Sequence, residues 1–188
     1  YPMKENSEIK EKNNHVICYL AGDYEMYNKD FLKVKLETIK KLSEISNKLG
    51  FTFICRPHPG DDRKMLKVKL PQVHFTPETE TLGETFDTAD IFISFDSTAL
   101  VEAAMSYKVC VQLMNYPIQS DNLEKLGACT KSVQTMEELE EYLKKIASSQ
   151  NLDEFRILFN NDYIETRYNP AARFLEIIKK IEKNNHAT

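Results

Sequence analysis

Apolar residues follow two alternating patterns along this chain: short unbroken runs, and longer stretches in which they recur every three or four positions. The first run is His15-Val16-Ile17-Cys18-Tyr19-Leu20-Ala21, closed by Gly22-Asp23. An apolar run this short and continuous fits a strand covered on both faces, as parallel sheets require. From Asp30, a good N-cap residue, Leu32, Leu36, Ile39, Leu42, Ile45 and Leu49 mark one helical stripe that Gly50 stops. A second strand follows at 51–55. Strand, helix and strand in such close succession form a right-handed βαβ unit, the building block of a parallel sheet.

The alternation continues. The pattern predicts a short helix at 64–69, a strand at 73–75, a helix at 81–88, a strand at 91–95, a helix at 98–107, and strands at 109–114 and 128–133. The tail reads as helices at Met136–Ser148 and 152–159 and a third opened by Asn169-Pro170, with Phe174, Ile177, Ile178 and Ile181 on one face. No internal repeat is visible. The expected fold is a Rossmann-like, doubly wound α/β domain with a parallel sheet of about six strands and flanking helices, occupying 15–188 behind a polar linker at 1–14.

In that architecture ligands bind outside the carboxyl ends of the strands. The informative turns are therefore Gly22-Asp23-Tyr24-Glu25, Arg56-Pro57-His58-Pro59-Gly60, Asp96-Ser97-Thr98 and Asn115-Tyr116-Pro117.

Charge narrows the ligand. With 25 Lys+Arg against 29 Asp+Glu the net charge is −4, which argues against nucleic acid held by bulk electrostatics. No apolar run reaches the roughly 20 residues of a membrane span, and no charged-then-apolar leader is seen, so a soluble piece is expected. Cys18, Cys55, Cys110 and Cys129 lie in or beside apolar runs without C-x-x-C spacing, as do the buried, reduced thiols of a cytoplasmic protein. The polar start of the chain reads as a linker within something larger.

Two familiar phosphate loops are missing, because Gly22, Gly50, Gly60, Gly83 and Gly127 form neither G-x-G-x-x-G nor G-x-x-x-x-G-K-[ST]. The nucleophile elbow G-x-S-x-G is missing as well. Asp96-Ser97-Thr98 instead joins a strand to a helix, so that backbone amides and two hydroxyls converge at a helix N-terminus suited to an anion. Glu102 lies four residues beyond Thr98, about 6 Å along the same face. There a carboxylate can accept hydrogen bonds from a ribose diol, which describes a nucleotide lying on one helix. The plainer alternative is that Ser97 only caps the helix and Glu102 is a solvated acid.

His58 sits between prolines that stiffen the turn, and Arg56 offers a planar, permanently charged fork suited to phosphate. Together they could neutralise a diphosphate from the side opposite Ser97, or form no more than a hydrogen-bonded prolyl turn. The H-P-x-D-D spelling is also similar to zinc-dependent sugar deacetylases, but Gly60 interrupts the acids and no convincing third ligand is found. No metal is expected.

The R-P-H-P turn, followed by the stretch ADIFISFDSTALVEAAMSYKVCVQL, resembles the carboxyl-terminal half of GT-B glycosyltransferases. The subgroup it is similar to is the capsule and teichoic-acid type, which includes polysialyltransferase-like, Kdo-transferase-like and CDP-glycerol polymerase-like enzymes. The resemblance implies a domain that binds a CMP-, CDP- or UDP-activated sugar or polyol donor, with a lean toward cytidine. By that carry-over His58 and Pro59 form the phosphate turn, Ser97 and Thr98 hold phosphate at the helix N-terminus, and Asp96 belongs to the same donor-binding turn. Glu102 takes the ribose, and Gly22 faces an acceptor half across the cleft. Arg56 and His58 stabilise the departing phosphate. The general base belongs to an amino-terminal acceptor domain outside this sequence, so donor binding without turnover is expected. Tyr24, Tyr27 or Tyr116 are candidates to stack on the base. The intact enzyme is expected in the cytoplasm, peripheral to the inner face of the membrane. Alternatives are a UDP-sugar 2-epimerase-like half and a non-catalytic α/β interaction domain.

Overall fold

The strands and helices follow in the order β1 (Val16–Leu20), α1 (Asp30–Leu49), β2 (Thr52–Arg56), α2 (Arg63–Lys69), β3 (His74–Phe75), α3 (Leu82–Thr88), β4 (Ile91–Ser94), α4 (Thr98–Met105), β5 (Val109–Leu113), β6 (Lys131–Val133) and α5 (Met136–Ser148). A 3-10 turn at Leu152–Phe155 comes last. The structure, a computed structural model, describes residues 15–22, 30–95, 97–114, 121–149 and 151–156. The expected linker at 1–14, the helix from Pro170, Asp96 and the tyrosines Tyr24, Tyr27 and Tyr116 lie outside the described residues.

All strand pairs are parallel, and the sheet runs β3-β2-β1-β4-β5-β6. The chain winds outward from β1 to β3, returns to set β4 against the other side of β1, and winds outward again. The strand order therefore reverses between β1 and β4, where a doubly wound sheet opens a crevice at its carboxyl edge.

Successive residues of each strand feed opposite layers. Ile17 and Tyr19 of β1 pack with Ile39 and Leu42 of α1 and Leu139 and Leu143 of α5, whereas Cys18 and Leu20 pack with Leu100 and Ala104 of α4. A sheet buried on both faces explains the unbroken apolar runs. Ala103 and Ala104, whose small size suited either a ligand or tight packing, are both buried in the second layer. They let α4 approach the sheet closely.

Several boundaries differ from the pattern's expectation, each for a local reason. The helix expected at 98–107 ends at Met105, because Tyr107 adopts φ 57°. Its N–H donates to the Ala104 carbonyl and that of Lys108 to the Ala103 carbonyl, closing the helix with a left-handed C-terminal motif usually built on glycine. The strand expected at 128–133 begins at Lys131, since the N–H groups of Ala128 and Cys129 both donate to the Leu123 carbonyl in a turn. Thr81 stands outside α3 as its cap, exchanging hydrogen bonds with Glu84 in a capping box. The 152–159 segment is a 3-10 turn at Leu152–Phe155, and its later residues lie outside the described ones. On α1 the buried face is centred on Phe31, Lys35, Thr38, Ile39, Leu42, Ser43, Ile45 and Ser46, while Leu32, Leu36 and Leu49 are only half-buried. Small hydroxyl residues let this long helix lie close to the strands, which a purely apolar stripe overlooks.

Candidate functional site

At the reversal point, paired β1 and β4 residues end with Tyr19 and Ile93. One step further the strands part, and the buried hydroxyl of Ser94 donates to the Leu20 carbonyl at 2.9 Å. A side chain thus supplies the donor that the backbone no longer provides where the two strands diverge. Replacing Ser94 by alanine is expected to leave the Leu20 carbonyl unpaired and to lower stability by about 1–3 kcal/mol, measurable by urea denaturation.

Gly22 is half-buried at the end of β1, one residue beyond the last backbone bond of that strand's extension, Ala21 N–H to the Arg56 carbonyl at 3.0 Å. Beyond β4, Ser97 caps α4 in an extended conformation, its Oγ accepting the Ala99 N–H at 3.2 Å. Thr98 and Glu102 are exposed on α4, and the first turn of that helix carries no acidic residue that would compete with an anion.

His58 follows β2, on the other side of β1. Both turns therefore open at the same carboxyl edge, with one strand between them. Two inter-strand spacings put β2 and β4 about 10 Å apart. Pro57 is buried, His58 half-buried and Pro59 exposed. The imidazole Nδ1 accepts the Gly60 N–H at 3.2 Å, so the proton of the neutral ring resides on Nε2.

Arg56 lies on the sheet face covered by α3 and α4. Its Nη1 donates to the Glu80 carbonyl at 3.0 Å, the Thr85 Oγ1 at 2.8 Å and, more weakly, the Thr81 carbonyl at 3.4 Å. The guanidinium thereby ties the β3–α3 connection to the end of β2. Its charge at the sheet edge is fixed rather than free to swing. Beside the prolyl turn a cavity of about 480 Å³ opens, lined by Arg56, Pro57, Pro59, Asp61, Asp62, Arg63, Lys64 and Glu78. Gly22, Ser97, Thr98 and Glu102 do not line it.

Three features escaped the sequence reading. Asp61, weighed only as a metal ligand, is engaged by Lys35 of α1 at 2.5 Å. Among the described residues no group of three or more His, Cys, Asp or Glu side chains is arranged to hold a metal ion. Ser94 looked like one more residue of an apolar run. Gln112, inside the otherwise apolar β5, donates to the Asp121 carbonyl at 2.9 Å and accepts from the Leu123 N–H and Ser132 Oγ, clamping the chain where it returns to the sheet edge. A lone polar residue in a buried strand was the available signal for both.

The thiols take no part. Burial pushes Cys18 up to about 12 and Cys129 up to about 11, and drives Cys55 and Cys110 upward as well, so none supplies a thiolate near neutral pH.

No family model matches the sequence, and no curated protein sequence matches it significantly. Among solved structures, Methanocaldococcus jannaschii UDP-GlcNAc 2-epimerase, in complex with UDP-GlcNAc and UDP, is similar with a TM-score of 0.52 at 15% identity, over 89% of this chain and 46% of that one. This chain thus spans less than half the length of that protein. At such identity the likeness is one of fold, a GT-B-like Rossmann domain. No helix among the described residues is long and apolar enough to cross a membrane.

Proposed function

We propose that this chain is the donor-nucleotide-binding domain of a GT-B glycosyltransferase. It would serve the transfer of a sugar or polyol phosphate from a CMP-, CDP- or UDP-activated donor to a surface polysaccharide. The observation that carries the proposal is that the His58 turn and the Ser97-headed helix open at one edge of the sheet, on either side of β1 at the β1/β4 reversal. The neighbouring fold bound to UDP-GlcNAc and UDP supports a nucleotide-sugar ligand.

In this reading the N-terminal amides of α4, with the Ser97 and Thr98 hydroxyls, take the phosphates. His58 donates from Nε2 to an oxygen of the departing phosphate. Arg56 adds a positive charge from a position held by Glu80 and Thr85. Glu102, a turn further along α4, accepts from the ribose diol. Gly22 lets the donor approach the backbone closely, and Pro59 stiffens the phosphate turn. Residues 15–188 make one domain in this proposal, and an acceptor domain supplies the general base, so the piece alone binds donor without turning it over.

Calorimetric titration with CMP, CDP and UDP tests the proposal. Saturable binding is expected, and no binding up to millimolar nucleotide would defeat it in favour of a non-catalytic domain. Ser97→Ala or His58→Ala is expected to weaken binding by about 1–3 kcal/mol with the circular dichroism spectrum unchanged, the usual cost of a charge-assisted contact. Wild-type affinity in both variants would remove the site assignment.

A further inference from the structure

Lys35 and Asp61 form a nearly buried ion pair beside the site, their side chains 4% and 3% exposed. Taking two charges out of water costs several kcal/mol for each, and an apolar pair would hold α1 against the β2–α2 turn as well or better. The carboxylate therefore has another use. While Oδ1 meets the Lys35 ammonium, Oδ2 accepts the His58 N–H at 2.8 Å. The Asp61 N–H in turn donates to the His58 carbonyl at 2.9 Å. One residue thus holds both backbone polar groups of His58, and the flanking Pro57 and Pro59 remove further freedom. The Gly60 N–H, within the same closed turn, fixes the imidazole through Nδ1.

We infer that Lys35 and Asp61 are positioning residues: their buried ion pair anchors the prolyl turn to α1 and so holds His58 with Nε2 as its donor nitrogen. For its effect on binding, the inference rests on the reading of His58 as a phosphate contact. The position of the ring does not depend on that reading. The pair also ties the turn after β2 to the helix that follows β1.

The test uses the full chain with its histidines labelled with nitrogen-15, at a pH above their titration range. Comparison with His58→Ala assigns the His58 signals among the 4 histidines. In wild type the ring is expected as a single tautomer protonated at Nε2, and a ring protonated at Nδ1 would overturn the inference without any further variant. The double variant Lys35→Met/Asp61→Ala removes both charges, so neither is left buried alone. It is expected to keep the fold, to show averaged ring-nitrogen shifts at His58, and to bind CDP about tenfold more weakly, near the level of His58→Ala. Unchanged ring signals in this variant, or CDP affinity within about twofold of wild type despite changed signals, would contradict it. A wild-type protein that binds no nucleotide removes the donor-binding reading, and the ring signals still decide whether the pair positions His58.

Discussion

Replacing Lys35 alone by methionine will lower the free energy of unfolding by about 3–5 kcal/mol, because it leaves the nearly buried Asp61 carboxylate without its countercharge. Asp61 is 3% exposed, and its remaining partner, the His58 N–H, carries no countercharge. The same substitution at Lys40 makes the contrast. Lys40 meets Glu44 at 4.0 Å with both side chains more than half exposed, and pairs of that kind contribute about 0.5 kcal/mol or less. Urea denaturation of the two variants side by side isolates the buried charge from the general effect of removing a lysine. A loss at Lys35 no larger than at Lys40 would show that the pair is hydrated and not the anchor described above.

Phe92→Ala is expected to cost a similar amount, about 3–5 kcal/mol, through a different mechanism. Phe92 lies in the middle of β4, fully buried, and meets the Phe86 ring of α3 edge to face at 5.3 Å between centroids. Its removal opens a cavity under the layer that α3 and α4 form. That layer carries Ser97. Loss of stability should therefore be accompanied by weaker nucleotide binding even at temperatures where the variant stays folded. A small-to-moderate loss, below about 1.5 kcal/mol, would mean that the layer collapses into the gap and that α4 is less firmly seated than its burial indicates.

The fold was legible because a parallel sheet covered on both faces writes its strands as continuous apolar runs. VICYL, TFICR, IFIS and VCVQL all became strands that pair in parallel. What the pattern missed was local geometry that apolarity does not encode. Nothing in the letters of Met105-Ser106-Tyr107 announces that a tyrosine will take the left-handed position that ends α4. Ala128 and Cys129 are apolar enough for a strand, yet they turn back to Leu123 instead of joining β5.

At the site, Ser97 as the cap of α4 was one of the two readings that a hydroxyl between a strand and an apolar helix allows, and its Oγ does accept the Ala99 N–H. The partners of Arg56 could not be read in this way. Glu80 and Thr85 lie 24 and 29 residues later in the chain, and only the crossover back to β4 brings them alongside. Lys35 did leave a trace. It stands four residues before Ile39 and seven before Leu42, inside the buried face of α1, where an unpaired cation would be costly. A charge on a core stripe asks for an opposite charge elsewhere, and Asp61 supplies it.

The most direct test of the shared crevice is a CDP titration followed by backbone amide chemical shifts in the labelled full chain. Saturable shifts concentrated at Gly22, His58 and Ser97 to Ala99, on both sides of β1, are the expected result. Shifts confined to one turn, or clustered between Arg63 and Glu78 instead, would contradict it.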